Sequence, residues 1–248
     1  MNLICLLDVN ENEYLIKHFI KYYSQIGVNN FMFVLNYKNK DILKFTNIFK
    51  LLTDNKCNVV DTILGEIDFY KHQNYVDNEL RKKVLKTEEW CILADIDEFV
   101  ELSKNFICSL NENTHFDYVE GVFVDKIAKN GNLTEIKEEE DLFEQYPLKT
   151  NISKDICKAI YSKIPLLKTK VNVTAGHHWI ESNTEDKLEK YEKIIDVSHF
   201  KWNADLLRKI EQRIKDNSAP DRNTKWMEEN KLLLNYFKRN DKKIILKS

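Results

Sequence analysis

The sequence predicts an α/β fold: a mostly parallel central sheet flanked by helices, followed by a β-rich region and C-terminal helices. Three observations predict it. Short apolar runs alternate with amphipathic segments over residues 1–102, the connections between them are short, and five glycines and three prolines in 248 residues leave few breaks in regular structure. Parallel neighbours need a crossover, and a helix supplies it.

The run "LICLL" at residues 3–7 reads as a strand buried on both faces. In "NENEYLIKHFIKYYSQIGVNN", Leu15, Phe19, Tyr22 and Ile26 recur at helical spacing, and Gly27 stands where a left-handed cap is wanted. "FMFVL" (31–35) is the second strand. After the polar turn "NYKNKD", Ile42, Phe45, Phe49 and Leu52 share one face of a second helix. "NVVDTI" predicts the third strand, "YVDNELRKKVLK" a third helix, and "WCILADI" the fourth strand. From Phe116 the rhythm turns β-rich. "FDYVEGVFVDKIAKNGNLTEI" carries Asn130-Gly131 as a hairpin signal, and a second β-rich stretch runs from "AIYSKIPLLKTKVNVTAGHHWI" to "KIIDVSHFKW". Two helices close the chain. The first starts after Asn203 as cap and stacks Leu206, Leu207, Ile210 and Ile214, and the second does so with Trp226, Leu233 and Phe237. The acidic run "KEEEDLFEQY" reads as a solvated helix or loop.

Composition excludes several classes. A hydrophobic content of 43% argues against disorder, and 38 basic against 40 acidic residues, net −2, create no field that would recruit nucleic acid or an anionic membrane. Five cysteines, odd in number and never in a C-x-x-C pair, read as reduced thiols. No segment approaches the roughly 20 apolar residues that cross a bilayer, and the N-terminal run lacks a preceding basic region, so it reads as a strand and not as a signal peptide. A cytoplasmic location is the expectation.

The chemistry concentrates at Asp95, Asp97 and Glu98, which end an apolar run. An unpaired buried carboxylate costs several kcal/mol or takes up a proton, so these acids sit where the strand leaves the core or have a partner. On an extended strand end, residues two apart point the same way. Asp95 and Asp97 can then converge on one cation while Glu98 turns aside as a supporting or capping carboxylate. Hard oxygen ligands suit Mg²⁺ or Mn²⁺, whose open positions substrate phosphates fill. The plain alternative is an acidic helix cap on a solvated loop. Ligands of parallel sheets bind beyond the carboxyl ends of the strands, where both "DIDE" and "DVNENE" are predicted to lie. Haloacid-dehalogenase-type phosphatases also place D-x-D after a strand, but that strand is their first and the motif continues x-T or x-V, whereas here Glu98-Phe99 follows strand four.

Taken together, "NENEYLIKHFIKYYSQIGVNNFMFVLNYKNKD", "QNYVDNELRKKVLKTEEWCILADIDEFV" and the later "SHFKW" resemble bacterial glycosyltransferases of the family 2 and family 92 type. The resemblance implies a GT-A-like fold in one domain spanning 1–248: a nucleotide-binding half (1–102), a β-rich acceptor half (103–202) and C-terminal helices (203–248). It implies a nucleoside-diphosphate sugar, with a UDP-hexose as the expected donor, whose diphosphate is bridged by Mn²⁺ or Mg²⁺ to Asp95 and Asp97. His199 would complete the metal shell or meet the diphosphate, and Lys201, with Trp202 beside it, would reach a phosphate from the same side of the strand. Asn10 and Glu11 match the family's N-E pair. Asn36 stands where an Asp commonly holds uracil, and its amide can donate or accept. Gln73 and Arg81 are further candidates for the donor site.

The implied acceptor is a hydroxyl of a surface glycan, and the implied outcome is inversion, which needs a base. "GHHWIE" offers His177, His178 and Glu181 beside an aromatic face that can stack on a sugar, and Asp125 follows the "GVFV" strand. Glu181, His178 and Asp125 are therefore the base candidates. A non-catalytic carbohydrate- or nucleotide-binding module of the same fold is the alternative. Peripheral membrane association and oligomeric state stay open.

Overall fold

The computed structural model describes residues 1–66, 68–111, 114–181, 187–216 and 224–245. The N-terminal apolar run forms β1 (Asn2–Asp8), buried from Leu3 to Leu7. A 3₁₀ turn (Glu13–Leu15) leads into α1 (Ile16–Ile26), closed by Gly27 at φ 108°, the left-handed cap that the sequence predicts. The buried face of α1 centres on Phe19, Ile20 and Tyr23, rotated from the expected Tyr22 stripe. Next come β2 (Asn30–Tyr37), α2 (Ile42–Asp54) after a 3₁₀ turn (Asn39–Asp41), and β3 (Asn58–Leu64).

The expected third helix is longer and interrupted. It runs as α3 (Phe69–Asn74), a π-helical turn (Tyr75–Leu80) and α4 (Arg81–Val84), with Asp68 capping its start by accepting from the Lys71 amide. The wider π turn carries Val76, Asp77, Asn78 and Leu80 into the interior, as such turns often do near functional sites. β4 (Trp90–Leu93) is fully buried and β5 (Glu98–Val100) follows directly. The remaining elements are α5 (Lys104–Ser109), β6 (Tyr118–Ile127), α6 (Leu142–Gln145), β7 (Leu148–Thr150), α7 (Ile152–Asp155), β8 (Ser162–Lys168), β9 (Ile195–His199), α8 (Leu206–Asp216) and α9 (Thr224–Arg239).

The chain divides into two compact units, Met1–Val122 with Ser162–Val197, and Phe123–Tyr161 with Ser198–Ser248. In the first, the strand order is β3-β2-β1-β4-β8-β6-β9-β5. β1 pairs parallel with β2 and β4, and β2 with β3, which is the parallel sheet the sequence predicts. β8 then joins β4 antiparallel, and β6 joins β8 likewise, in the β-rich region. Ile4, Leu6, Met32, Val34, Leu93 and Leu167 form one core between the sheet and the π-turn helix. In the second unit, the end of β6 pairs with β7, and Ile127, Trp202, Leu206, Ile210, Leu233 and Phe237 make a separate core. The side chain of Trp226 lies outside the described residues.

Two sequence expectations are corrected. Asn130-Gly131 makes a turn but no hairpin: Gly131, at φ 70°, closes it on Ala128, and its carbonyl then accepts from the Ile244 amide. The partner strand comes from the far C-terminus, beyond the reach of a local signal. "NVTAG" is likewise no regular strand, only one half of a small two-stranded ladder bridged at Val173 and Ile180. Among the described residues no helix is long and apolar enough to cross a membrane.

Candidate functional site

The acids lie on a tight turn between β4 and β5. The Glu98 amide donates to the Asp95 carbonyl at 2.9 Å, so Asp95 and Asp97 are held by a turn and not by the extended strand end expected. Behind the turn, Phe99 is fully buried against Phe19, Tyr22 and Tyr23, and the Tyr23 hydroxyl donates to the Glu98 carbonyl and accepts from the Val100 amide. This aromatic wedge explains why the acids are followed by phenylalanine: it anchors the turn's exit in the core.

Glu98 does not face solvent as a cap. It is buried and meets the Lys163 ammonium at 2.8 Å, while its other oxygen lies 3.3 Å from His177 Nε2. Lys163, 2% exposed, also donates to the Gly176 carbonyl and stands 3.8 Å from Asp95. His177 Nδ1 faces Asp77 at 3.7 Å, and Asp77 accepts from the Gln73 amide at 3.0 Å. Five elements therefore converge: the acid turn, β8, the His177 turn, and α3 with its π turn.

The electrostatics follow from that convergence. Burial pulls Lys163 down, but the charges of Glu98 and Asp95 outweigh it and hold the ammonium above its ordinary pKa. Burial and the Lys163 charge likewise disfavour the His177 cation, yet the carboxylates of Asp77 and Glu98 facing its two ring nitrogens raise it to about 9. Asp95 is raised to about 7, first by burial and then by the Glu98 charge. Its side chain is nevertheless 29% exposed. Asp77, Asp95 and Glu98 thus share Lys163 and His177, and of these acids Asp95 is the partly exposed one.

The other predicted residues separate into groups. Asp8 and Asn36 sit side by side at the carboxyl ends of β1 and β2. The Asp8 carboxylate accepts from the Asn10 amide, the Glu11 amide bonds the Asp8 carbonyl, and the Asn10 side chain donates to Asp41. Asn36 is turned inward, donating to the Ile63 and Gly65 carbonyls. Gln73 serves Asp77. Arg81 is fully buried and donates to the carbonyls of Asp77, Lys168 and Val171, which makes it a clamp on the backbone.

His178 donates from Nδ1 to the Ser162 carbonyl at 2.7 Å, and burial together with the Lys163 charge lowers it to about 3. Such a ring takes up a proton poorly at neutral pH. Glu181 is half-buried, its amide donating to the Asn172 carbonyl.

His199, Lys201, Trp202 and Asp125 belong to the second unit. β9 ends at His199, so Lys201 lies past the strand and not on its face. His199 stacks on Phe123, with Nδ1 3.3 Å from Asp125. Asp125, buried, accepts from the Ser153 hydroxyl and amide. Burial would raise it, but the close approach of His199 and the Lys201 charge prevail and lower it to about 2. Trp202 is fully buried against Phe237 in the core and offers no face to a ligand. Lys163 and Asp77 are the participants that sequence reading missed, and His177, read there as part of the acceptor cluster, belongs with them behind the acid turn.

Among the described residues no group of three or more His, Cys, Asp or Glu side chains is arranged to hold a metal ion. Two carboxylates still suit Mg²⁺ or Mn²⁺, which retain waters and take substrate oxygens.

No family model matches the chain, and no curated protein does. Among solved structures it is similar to a 4-diphosphocytidyl-2C-methyl-D-erythritol synthase at 14% identity and a TM-score of 0.35, over 68% of this chain and 75% of that one. The synthase of the same name from Anaerococcus prevotii DSM 20548 aligns at 11% identity and a TM-score of 0.34, over 82% of this chain and 88% of that one. At these scores neither alignment assigns a function.

Proposed function

We propose that the chain is a metal-dependent glycosyltransferase that takes a hexose from a nucleoside-diphosphate sugar, with UDP as the nucleotide, and passes it to a glycan hydroxyl. The observation that carries this reading is the acid turn. Asp95 is partly exposed, yet burial and the neighbouring Glu98 charge raise it to about 7 against the opposing charges of Lys163 and His177. A carboxylate so placed favours an added cation, and Asp97 on the same turn supplies a second oxygen ligand. A divalent ion there would neutralise the charge that gathers on a departing diphosphate.

The chain's own groups have distinct tasks. Asp95 and Asp97 hold the ion, and Lys163 and His177 keep Glu98 engaged so that the turn keeps its shape. The turn at Asn10 and Glu11, at the same sheet edge, is the nucleoside contact. Glu181 is the proton acceptor for the acceptor hydroxyl, since His178 is a weak base at neutral pH and Asp125 is buried and bonded to Ser153. The test is thermal unfolding with Mn²⁺ across a panel of nucleotide sugars. A donor at about a hundred times its Kd adds ~2.7 kcal/mol of stability. The reading predicts stabilisation by one UDP-sugar only when Mn²⁺ is present, followed by slow release of UDP. A panel with no stabilising member contradicts it.

A further inference from the structure

The segment 172–181 forms a small two-stranded ladder whose two faces differ. Thr174 donates from its amide to the Trp179 carbonyl, Glu181 to the Asn172 carbonyl, and Val173 and Ile180 pair between them. Side chains alternate across such a ladder. Val173 is buried in the core and Ile180 packs on it, so Asn172, Thr174, Trp179 and Glu181 share the outer face. There Trp179 is 50% exposed, unlike the buried Trp90 and Trp202.

This face is built and anchored. The Asn78 side chain, on the π turn, bonds both the amide and the carbonyl of Val173, at 3.0 and 2.7 Å. Arg81 holds the Val171 carbonyl, and Lys82 donates to Asn172 Oδ1. At the tip, Gly176 and His177 both take positive φ, which turns the His177 ring inward onto Glu98. The Thr174 hydroxyl also accepts from the Trp179 amide, fixing the backbone that presents the indole. A half-exposed indole on a rigid ladder loses little freedom on binding, which is the condition for useful affinity from a small contact.

We infer that this outer face is a saccharide-binding platform, with a pyranose ring stacked on Trp179 and its hydroxyls met by Asn172, Glu181 and Lys82. One face of a pyranose is a patch of C–H groups, electropositive at the hydrogens, and the indole face is electron-rich. Hydroxyls at the ring's edge require donors and acceptors together, and this face offers an amide, a carboxylate and an ammonium. Because His177 ties the ladder to Glu98, the platform stands beside the acid turn. Its identity as the acceptor site rests on the glycosyltransferase reading, whereas saccharide binding itself does not.

The test is saturation-transfer NMR with methyl pyranosides of glucose, galactose, mannose, rhamnose and N-acetylglucosamine, in parallel with UDP and Mn²⁺ titration. At least one pyranoside is expected to bind, Trp179→Ala to weaken it tenfold or more, Trp179→Phe to retain part, and Asn172→Ala to cost a few-fold. UDP affinity should be unchanged in Trp179→Ala, and a urea unfolding transition close to that of the wild type reports that the variant is folded. Binding of none of the pyranosides, or binding indifferent to Trp179→Ala, overturns the inference while leaving the donor reading intact. Trp179-dependent pyranoside binding without any UDP binding upholds the platform and removes the donor reading.

Discussion

The two units each bury an acid beside a histidine, and the two arrangements have opposite consequences. In the second unit, Asp125 is surrounded by what it needs: the Ser153 amide and hydroxyl, His199 and the nearby Lys201 charge, so its pKa falls to about 2. In the first, acids crowd one another around Lys163 and His177, and Asp95 rises to about 7. The same residue types thus form a structural rivet in one place and, on the proposed reading, a cation site in the other. What separates them is how burial is answered: around Asp125 its partners outweigh it, whereas at Asp95 burial and the Glu98 charge outweigh Lys163 and His177.

Lys163→Met should break the first cluster most. It leaves Glu98 buried with one cation fewer, at a cost of about 3–5 kcal/mol. Urea unfolding should show that loss, and Lys163→Met with Glu98→Gln should recover most of it. A single-variant loss under about 1 kcal/mol would show that the pair does not organise the turn.

pH should separate the clusters by sign. His177 is raised to about 9 from 6.5, so its stabilisation of ~3 kcal/mol is fully present below pH 6.5 and lost as pH rises through 9. Asp125 is lowered to about 2 from 3.8, so its ~2 kcal/mol is present above pH 3.8 and lost as pH falls through 2. In stability measured against pH, His177→Gln should flatten the alkaline limb alone and Asp125→Asn the acid limb alone.

Gly131→Ala tests the second unit without touching either cluster. A β-carbon there would meet the Ile244 carbonyl oxygen at 2.3 Å, and φ is +70°, so a loss of about 2 kcal/mol in thermal unfolding is expected. Smallest is Ser153→Ala, which removes one of the hydrogen bonds to Asp125 at about 1 kcal/mol.

The strands of the parallel sheet and the helices were legible because they are local, and an apolar run ending in Asp95-Ile96-Asp97-Glu98 placed the acids at the sheet edge, although as an extended strand end and not as the turn they form. Lys163 was not, since in "SKIPLLK" it reads as the solvent-facing member of an alternating strand. Glu98 and Asp95, distant in sequence, make its burial tolerable. His177 was grouped with its neighbours in "GHHWIE", although its left-handed backbone turns it inward while Trp179 faces out. The π turn that brings in Asp77 and Asn78 has no compositional mark, and Asn130-Gly131 signalled a turn without naming its partner, the segment at Ile244. Arg81 and Trp202 show the converse: residue types suited to ligands were used for the backbone and the core.

The most direct test of the central claim is calorimetric titration of UDP into the protein with and without Mn²⁺, repeated on Asp95→Ala and Asp97→Ala. The account predicts binding that requires Mn²⁺ and is lost in both variants. Binding that persists without the ion, or that is undiminished by either substitution, would contradict it.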